Sequence, residues 1–131
     1  MTSVKQQPAA RAYSKAMDAP GVDLILDVDR EYYEKARAGV LRRIAPRSQN
    51  PAGEAWLPVM HACRDGWNFT ALFSNTPRAH DLHREHDWVV IHYDDAAGAE
   101  GQATVVTERR GALTGRRVVR GREPECAGLY R

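Results

Sequence analysis

Apolar positions in the first third of the chain recur with a helical period. In and just after VDLILDVDREYYEKARAG (residues 22–39), Tyr33, Ala36 and Val40 follow one another at spacings of three and four. Such spacing places side chains on one side of a helix. We therefore predict that this segment is the main N-terminal helix and that the stripe faces the core.

Acidic residues and a glycine indicate where this helix begins and ends. Asp27 or Asp29 is expected to cap its start, and Glu31 suits the positive end of the helix dipole. Gly39 is a suitable C-terminal stop. Residues 40–45 then run extended, or the helix continues to position 44; the pattern allows both.

The middle of the chain changes to the pattern of strands. Residues 56–63 and 67–74 flank Arg64-Asp65-Gly66, and Asp-Gly between two such runs predicts a β-hairpin. Alternation in the second run places four apolar side chains on one face: Trp67, Phe69, Ala71 and Phe73. Pro58 has no N–H group to donate, so it predicts an edge strand or a bulge in the first run.

The remaining elements complete a small α+β fold. Thr76 and Pro77 suit the cap and first position of a short helix that reaches about His86. Residues 88–93 and 102–108 are predicted strands, and residues 116–120 are a candidate fifth. The order α-β-β-α-β-β-β predicts one α+β domain, with a four- to five-stranded, mainly antiparallel sheet and helices on one face.

Length and composition are consistent with one domain. The 131 residues and the 43% apolar fraction are those of an ordinary globular chain with one core. We assign residues 1–21 to an N-terminal arm with a helical turn near residues 10–17, residues 22–126 to the domain, and residues 127–131 to a tail. No apolar run approaches the roughly 20 residues that span a bilayer, so no membrane association is expected. The N-terminus resembles no signal peptide, so we expect a cytoplasmic protein.

Charge is distributed unevenly along a chain whose net charge is only +2. Residues 37–47, the first arginine segment, contain four arginines and no acid. Residues 109–122, the second arginine segment, contain six arginines and no acid. The rest of the chain is therefore net acidic, and this separation creates local positive fields.

The arginines are the leading candidates for ligand binding. Guanidinium groups suit phosphate because they offer paired hydrogen bonds in a fixed geometry. Strand alternation would align Arg116, Arg120 and Arg122 on one side, and exposed aromatic residues could stack on unpaired bases; the candidates are Trp67, Trp88 and Tyr93. The competing interpretation is that the arginines pair with acids elsewhere and that the aromatic residues belong to the core.

A histidine-rich segment is the sharpest local motif. His80, His83 and His86 recur every third residue, so on a helix two of them can approach one metal ion. Asp87, His61 or Cys63 would supply the further ligand of a zinc site. The spacing matches neither HExxH nor a zinc finger, which favours an exposed polar helix face and no bound metal or cofactor.

Other catalytic patterns are weak. Cys63 and His61 are two apart on a predicted strand and share a face, which does not by itself make an activated dyad. We expect Cys63 and Cys126 to be reduced thiols, one a small buried residue and the other near a flexible C-terminus. No glycine-rich phosphate-binding loop is present in the sequence. These features favour a binding module over an enzyme.

Several long stretches resemble a bacterial module. They are LDVDREYYEKA, LRRIAPR, NPAGEAWLPVMH, DGWNFTALFSNTPRAHDL, DWVVIHY and GQATVVTERRGALTGRRVVRGREPEC. Together they are similar to the C-terminal module of helix-hairpin-helix proteins related to family X DNA polymerases. The resemblance covers about residues 24–126, and no helix-hairpin-helix repeat precedes it in this sequence.

The resemblance implies that the protein associates with DNA. We expect a non-enzymatic, DNA-associated accessory module in DNA repair or metabolism, whose arginines contact backbone phosphate. The candidate residues are Arg42, Arg43, Arg116, Arg117, Arg120 and Arg122. The alternatives are a protein-interaction module, for example a partner of DNA-processing enzymes, with an uncovered edge near residues 56–59, or a metal-dependent enzyme that uses the three histidines.

Overall fold

The computed structural model describes residues 19–130. The predicted helical turn at residues 10–17 lies outside the described residues, as does most of the predicted arm. Nine regular elements follow in chain order: α1 (Val22–Ala38), β1 (Arg42–Ile44), β2 (Leu57–Arg64), β3 (Trp67–Phe73), α2 (Pro77–Asp81), β4 (Val89–Asp95), β5 (Glu100–Thr107), β6 (Arg117–Val119) and α3 (Glu123–Leu129). A single 3₁₀ turn, Gly111–Leu113, lies between β5 and β6.

The strands form one antiparallel sheet in the order of the chain. Each strand pairs with the next, from β1 to β6. The α+β class and antiparallel pairing are confirmed, but the described part of the sheet has six strands instead of four or five. The additional strand is β1, where the extended alternative for residues 40–45 is correct and the helical one is wrong.

Helix α1 covers one face of this sheet. Ile25, Val28 and Tyr32 are fully buried and follow one another at helical spacing. They pack in the same core as Phe69 of β3 and Ile91 of β4. The alternation predicted for β3 is confirmed, since its odd-numbered residues are the buried ones.

The helical segment is confirmed, and Tyr33 and Ala36 of the predicted stripe pack against the core, but the predicted cap and Val40 are wrong. The N-cap is Gly21, so Asp27 and Asp29 lie inside the helix and serve other contacts. Val40 is 68% exposed because the helix has already ended at Gly39. That stop is confirmed: Gly39 adopts a left-handed conformation with φ of 73°.

A tyrosine hydroxyl of α1 joins the open ends of the β2–β3 hairpin by hydrogen bonds. Asp65 and Gly66 both have positive φ, as a two-residue hairpin turn requires. The pairing of β2 with β3 begins at Val59, so Pro58, the preceding residue, is not paired with β3. There the Tyr32 hydroxyl accepts from the Phe73 N–H at 3.0 Å and donates to the Pro58 carbonyl at 2.6 Å. A helix side chain thus continues the hydrogen bonding of the sheet.

The position predicted for β2 at the sheet edge is wrong. β1 pairs with it, with Arg43 opposite Pro58 and Arg42 opposite Val59. The predicted uncovered edge near residues 56–59 is therefore occupied over Leu57–Val59. Pro58 is tolerated inside the sheet because its missing N–H falls where the pairing with β3 has stopped.

Helix α2 is shorter than predicted. Thr76 caps it, as predicted, by accepting from the Ala79 N–H at 3.1 Å. The helix ends at Asp81, and His83 has a positive φ of 56°. His80, His83 and His86 therefore do not share a helix, and the predicted arc of imidazoles does not form.

The C-terminal residues are helical, which corrects the predicted tail. Helix α3 packs on α1 and β6. Cys126 is fully buried in it, and its sulfur accepts from the Val119 N–H at 3.3 Å. Cys63 is the exposed thiol, so the expected distribution of the two free cysteines is reversed. Within residues 19–130, no helix has the length and apolar character needed to cross a membrane.

Candidate functional site

Arg117 forms the centre of a partly buried ion-pair network. Its Nε and Nη2 donate to the two carboxylate oxygens of Asp29 at 3.1 and 2.9 Å. Its Nη1 donates to Asp87 at 2.9 Å, and its guanidinium carbon lies 4.8 Å from the centre of the Tyr33 ring. Asp29 is only 2% exposed. Arg117 therefore ties β6 to α1 and to the turn before β4.

Arg120, also in the second segment, forms ion pairs with two acids. Arg120 donates to Glu108 at 3.2 Å and to Glu123 at 2.8 Å. The bond from Arg120 is the main reason that the pKa of Glu108 lies below its ordinary value. Charge that is already paired in this way is less available to an external phosphate.

Arg122 is held by a carboxylate in the next turn of the chain. Its Nε and Nη2 donate to Glu125 at 2.8 and 2.7 Å, and its Nη1 donates to the Pro20 carbonyl at 2.8 Å. The hydrogen bond from Arg122 lowers the pKa of Glu125. With Arg117 and Arg120, this makes three paired arginines in the second segment.

The predicted strand alignment in the second segment does not form. β6 spans only Arg117–Val119, and Arg122 is already the N-cap of α3. Arg116 precedes the strand and is exposed, with its guanidinium carbon 4.8 Å from the Tyr130 ring centre. Arg116, Arg120 and Arg122 are therefore not aligned by a single strand.

The first arginine segment has different surroundings. Arg37 lies in the last turn of α1, Arg42 and Arg43 form most of β1, and Arg47 follows it. All four side chains are exposed. Among residues 19–130, none of the four forms an ion pair. Within the described part of the chain, no carboxylate pairs with their charge.

An aromatic groove opens between the end of α1 and β1. Its volume is about 380 Å³. The side chains that define it are Tyr33, Trp56, Phe73 and His86, with Arg37 and Arg43 at its margin. No acid is among the lining residues. The groove therefore combines flat apolar surfaces with positive charge.

Hydrogen bonds and ring contacts fix the groove walls. The Tyr33 hydroxyl donates to the His86 carbonyl at 2.5 Å, and burial raises the pKa of Tyr33 to about 12. The His86 ring packs edge-on against Phe73 at 5.2 Å and Trp56 at 5.7 Å between ring centres. The loop that carries His86 is thus anchored to both α1 and β3.

The aromatic residues named from the sequence are not those of the groove. Trp67 is 4% exposed and packs edge-on against Tyr93 in the core, with 5.5 Å between ring centres. Sequence analysis missed the groove because Tyr33, Trp56 and His86 come from three separate segments. The one available signal was Trp56 directly before a strand, close in sequence to the first arginine segment.

The remaining candidate residues are not brought together. Within the described chain, no group of three or more His, Cys, Asp or Glu side chains is arranged to hold a metal ion. His61 and Cys63 share the sheet face away from α1, as predicted, but each contacts a different neighbour. The His61 ring lies 3.1 Å from the Thr70 hydroxyl, and the Cys63 thiol donates to Asn68 at 3.1 Å.

Comparison with known proteins adds no functional assignment, since no family model, curated protein or solved structure matches the chain. The resemblance to the helix-hairpin-helix-associated module therefore stays a prediction.

Proposed function

We propose that this protein is a non-enzymatic, DNA-associated module that binds backbone phosphate through the first arginine segment. The observation that carries the proposal is the set of four exposed arginines without ion pairs among the described residues: Arg37, Arg42, Arg43 and Arg47. The sequence resemblance to a DNA-associated module supports the same choice. A role in repair or DNA metabolism follows from that resemblance.

The proposal moves the main contact away from the second arginine segment. Arg117, Arg120 and Arg122 are engaged by Asp29, Glu108 and Glu125, among others. Breaking the partly buried pairs of Arg117 costs free energy, and the acids beside Arg120 and Arg122 cancel local positive charge. Exposed arginines on an edge strand lose only water and counterions. Arg109, Arg110 and Arg116 are exposed, form no ion pair within residues 19–130 and can add contacts.

Salt-dependent DNA titration tests the proposal. Fluorescence anisotropy with a labelled duplex should give weak, sequence-independent binding, with a dissociation constant on the order of 10⁻⁵ M. Four phosphate contacts predict a slope of log K against log salt of about −3 to −4. Affinity should therefore fall about 100-fold between 50 and 200 mM salt.

A matched pair of variants locates the contact. Arg42→Gln with Arg43→Gln should reduce the slope by about 2, whereas Arg120→Gln with Arg122→Gln should leave it nearly unchanged. Salt-insensitive binding, or no binding at about 50 micromolar protein, overturns the proposal and favours the protein-interaction alternative. A loss confined to the Arg120 and Arg122 variant would assign the contact to the second segment instead.

A further inference from the structure

The aromatic groove has the size and shape of a small-molecule site. Its volume of about 380 Å³ lies at the lower end of the range for ligand pockets, which begins near 300 Å³. The Trp56 ring contacts His80 and His86 edge-on, at interplanar angles of 81° and 63° and with 6.2 and 5.7 Å between ring centres. An indole with a fixed orientation loses little conformational entropy when a flat ligand stacks on it.

The polar and charged groups that line the groove indicate which charge a ligand should carry. Phe73 is 6% exposed and offers no hydrogen bond, and the Tyr33 hydroxyl already donates to the His86 carbonyl. The charged groups that remain are the guanidiniums of Arg37 and Arg43, without a lining carboxylate. The groove therefore fits a planar ring with negative charge attached to it.

A nucleotide within a single strand has this combination of features. In a duplex the bases are stacked and paired, so their faces cannot reach a groove wall, whereas bases of a single strand are free to stack on aromatic rings. We infer that the groove holds one unpaired base of single-stranded DNA against Trp56, with the flanking phosphates on Arg37 and Arg43. This inference rests on the proposed function, because it places the base beside the proposed phosphate contacts.

An abasic oligonucleotide separates base binding from phosphate binding. Anisotropy compares labelled oligo(dT) with an abasic strand of equal length and charge, each at 50 and 200 mM salt. The wild-type protein should bind oligo(dT) about 5- to 100-fold more tightly, the range expected for one base stacked on an aromatic ring. Both affinities should fall with salt while their ratio stays constant, because stacking releases no counterions.

Variants at Trp56 locate the base. Trp56→Leu should bind the two strands equally, with its affinity for the abasic strand unchanged, and Trp56→Phe should retain part of the preference. Circular dichroism checks that both variants fold. As a measurement that needs no variant, oligo(dT) should quench the tryptophan fluorescence of the wild-type protein more than the abasic strand does.

The outcomes distinguish the inference from the proposed function. Equal, salt-sensitive binding of both strands to the wild-type protein leaves the proposed function intact and overturns the groove. A preference for oligo(dT) that survives Trp56→Leu, or equal quenching by both strands, also overturns it. Absence of binding to either strand overturns the groove, and the duplex titration then decides the proposed function separately.

Discussion

The two arginine segments are alike in sequence and differ in environment, because three arginines of the second segment are paired with acids. Its other three, Arg109, Arg110 and Arg116, are exposed and form no ion pair within residues 19–130. Both contain several arginines and no acid, yet Arg117 is paired with Asp29 and Asp87 while Arg42 and Arg43 extend from an edge strand. The partners of Arg117 come from α1 and from the turn before β4. The charge of a segment without acids can therefore still be partly neutralised, because folding brings carboxylates from distant parts of the chain next to its arginines.

Two grooves of similar size make the same contrast. The groove beside the second segment, about 370 Å³, is lined by Arg120 and Arg122 together with Glu125. The groove beside the first segment is lined by Arg37 and Arg43 together with aromatic rings. In the groove beside the second segment, Glu125 neutralises part of the positive charge. In the groove beside the first segment, no acid lies beside Arg37 and Arg43.

Arg117→Met should give the largest effect. It leaves the buried Asp29 carboxylate and Asp87 without their shared cation, so the free energy of unfolding should fall by about 3 kcal/mol. Urea denaturation measures this change. Arg43→Met is the matched control and should change stability by less than about 0.5 kcal/mol. Equal losses in the two variants would remove the contrast between the segments.

Neutralising the acids that pair with the second arginine segment should make it resemble the first. Glu108→Gln with Glu123→Gln and Glu125→Gln releases Arg120 and Arg122. We expect about threefold tighter binding to single-stranded DNA and a salt slope steeper by about 1. The control changes the net charge equally at three other exposed acids, Asp23→Asn, Asp81→Asn and Glu100→Gln. An equal gain in the control would assign the effect to net charge alone.

Low pH should lower the stability of the fold through the acids that pair with the second arginine segment, whereas the first segment has no such acids within residues 19–130. The pKa values of Glu108 and Glu125 are lowered in the folded protein, because Arg120 and Arg122 donate to them. A lowered pKa stabilises the fold above the ordinary value of 4.5 and ceases to do so as the pH falls through the lowered value. The urea midpoint should therefore decrease from about pH 5 to pH 3.

A double variant isolates this contribution. Glu108→Gln with Glu125→Gln should show a smaller decrease of the urea midpoint over the same pH range, since neither side chain titrates. An unchanged pH profile would mean that these two pairs do not stabilise the fold.

The smallest effect is expected within the first segment. Arg42→Gln should leave the free energy of unfolding within about 0.5 kcal/mol of the wild-type value, with a slight gain at low salt because four neighbouring arginines repel. Urea denaturation at 20 and 200 mM salt checks both points. A loss above about 1 kcal/mol would reveal a stabilising partner for Arg42.

The amino-acid sequence by itself determined those features that depend on near neighbours. The Asp65-Gly66 turn, the alternation of β3, the Thr76 cap and the Gly39 stop all follow from local backbone preferences and side-chain period. Helix α3 was missed because a seven-residue helix that contains Pro124 has a weak local signal. Its burial of Cys126 against β6 stabilises it.

Only the tertiary structure decided which arginines are free. Arg117 and Asp29 are 88 residues apart in the chain, and a residue pattern carries no information on such a distant ion pair. The aromatic groove likewise forms from α1, the strands β1, β2 and β3, and two loops. Local periodicity specifies which side chains face the core, whereas the position of a charge relative to its counterion depends on how the elements pack.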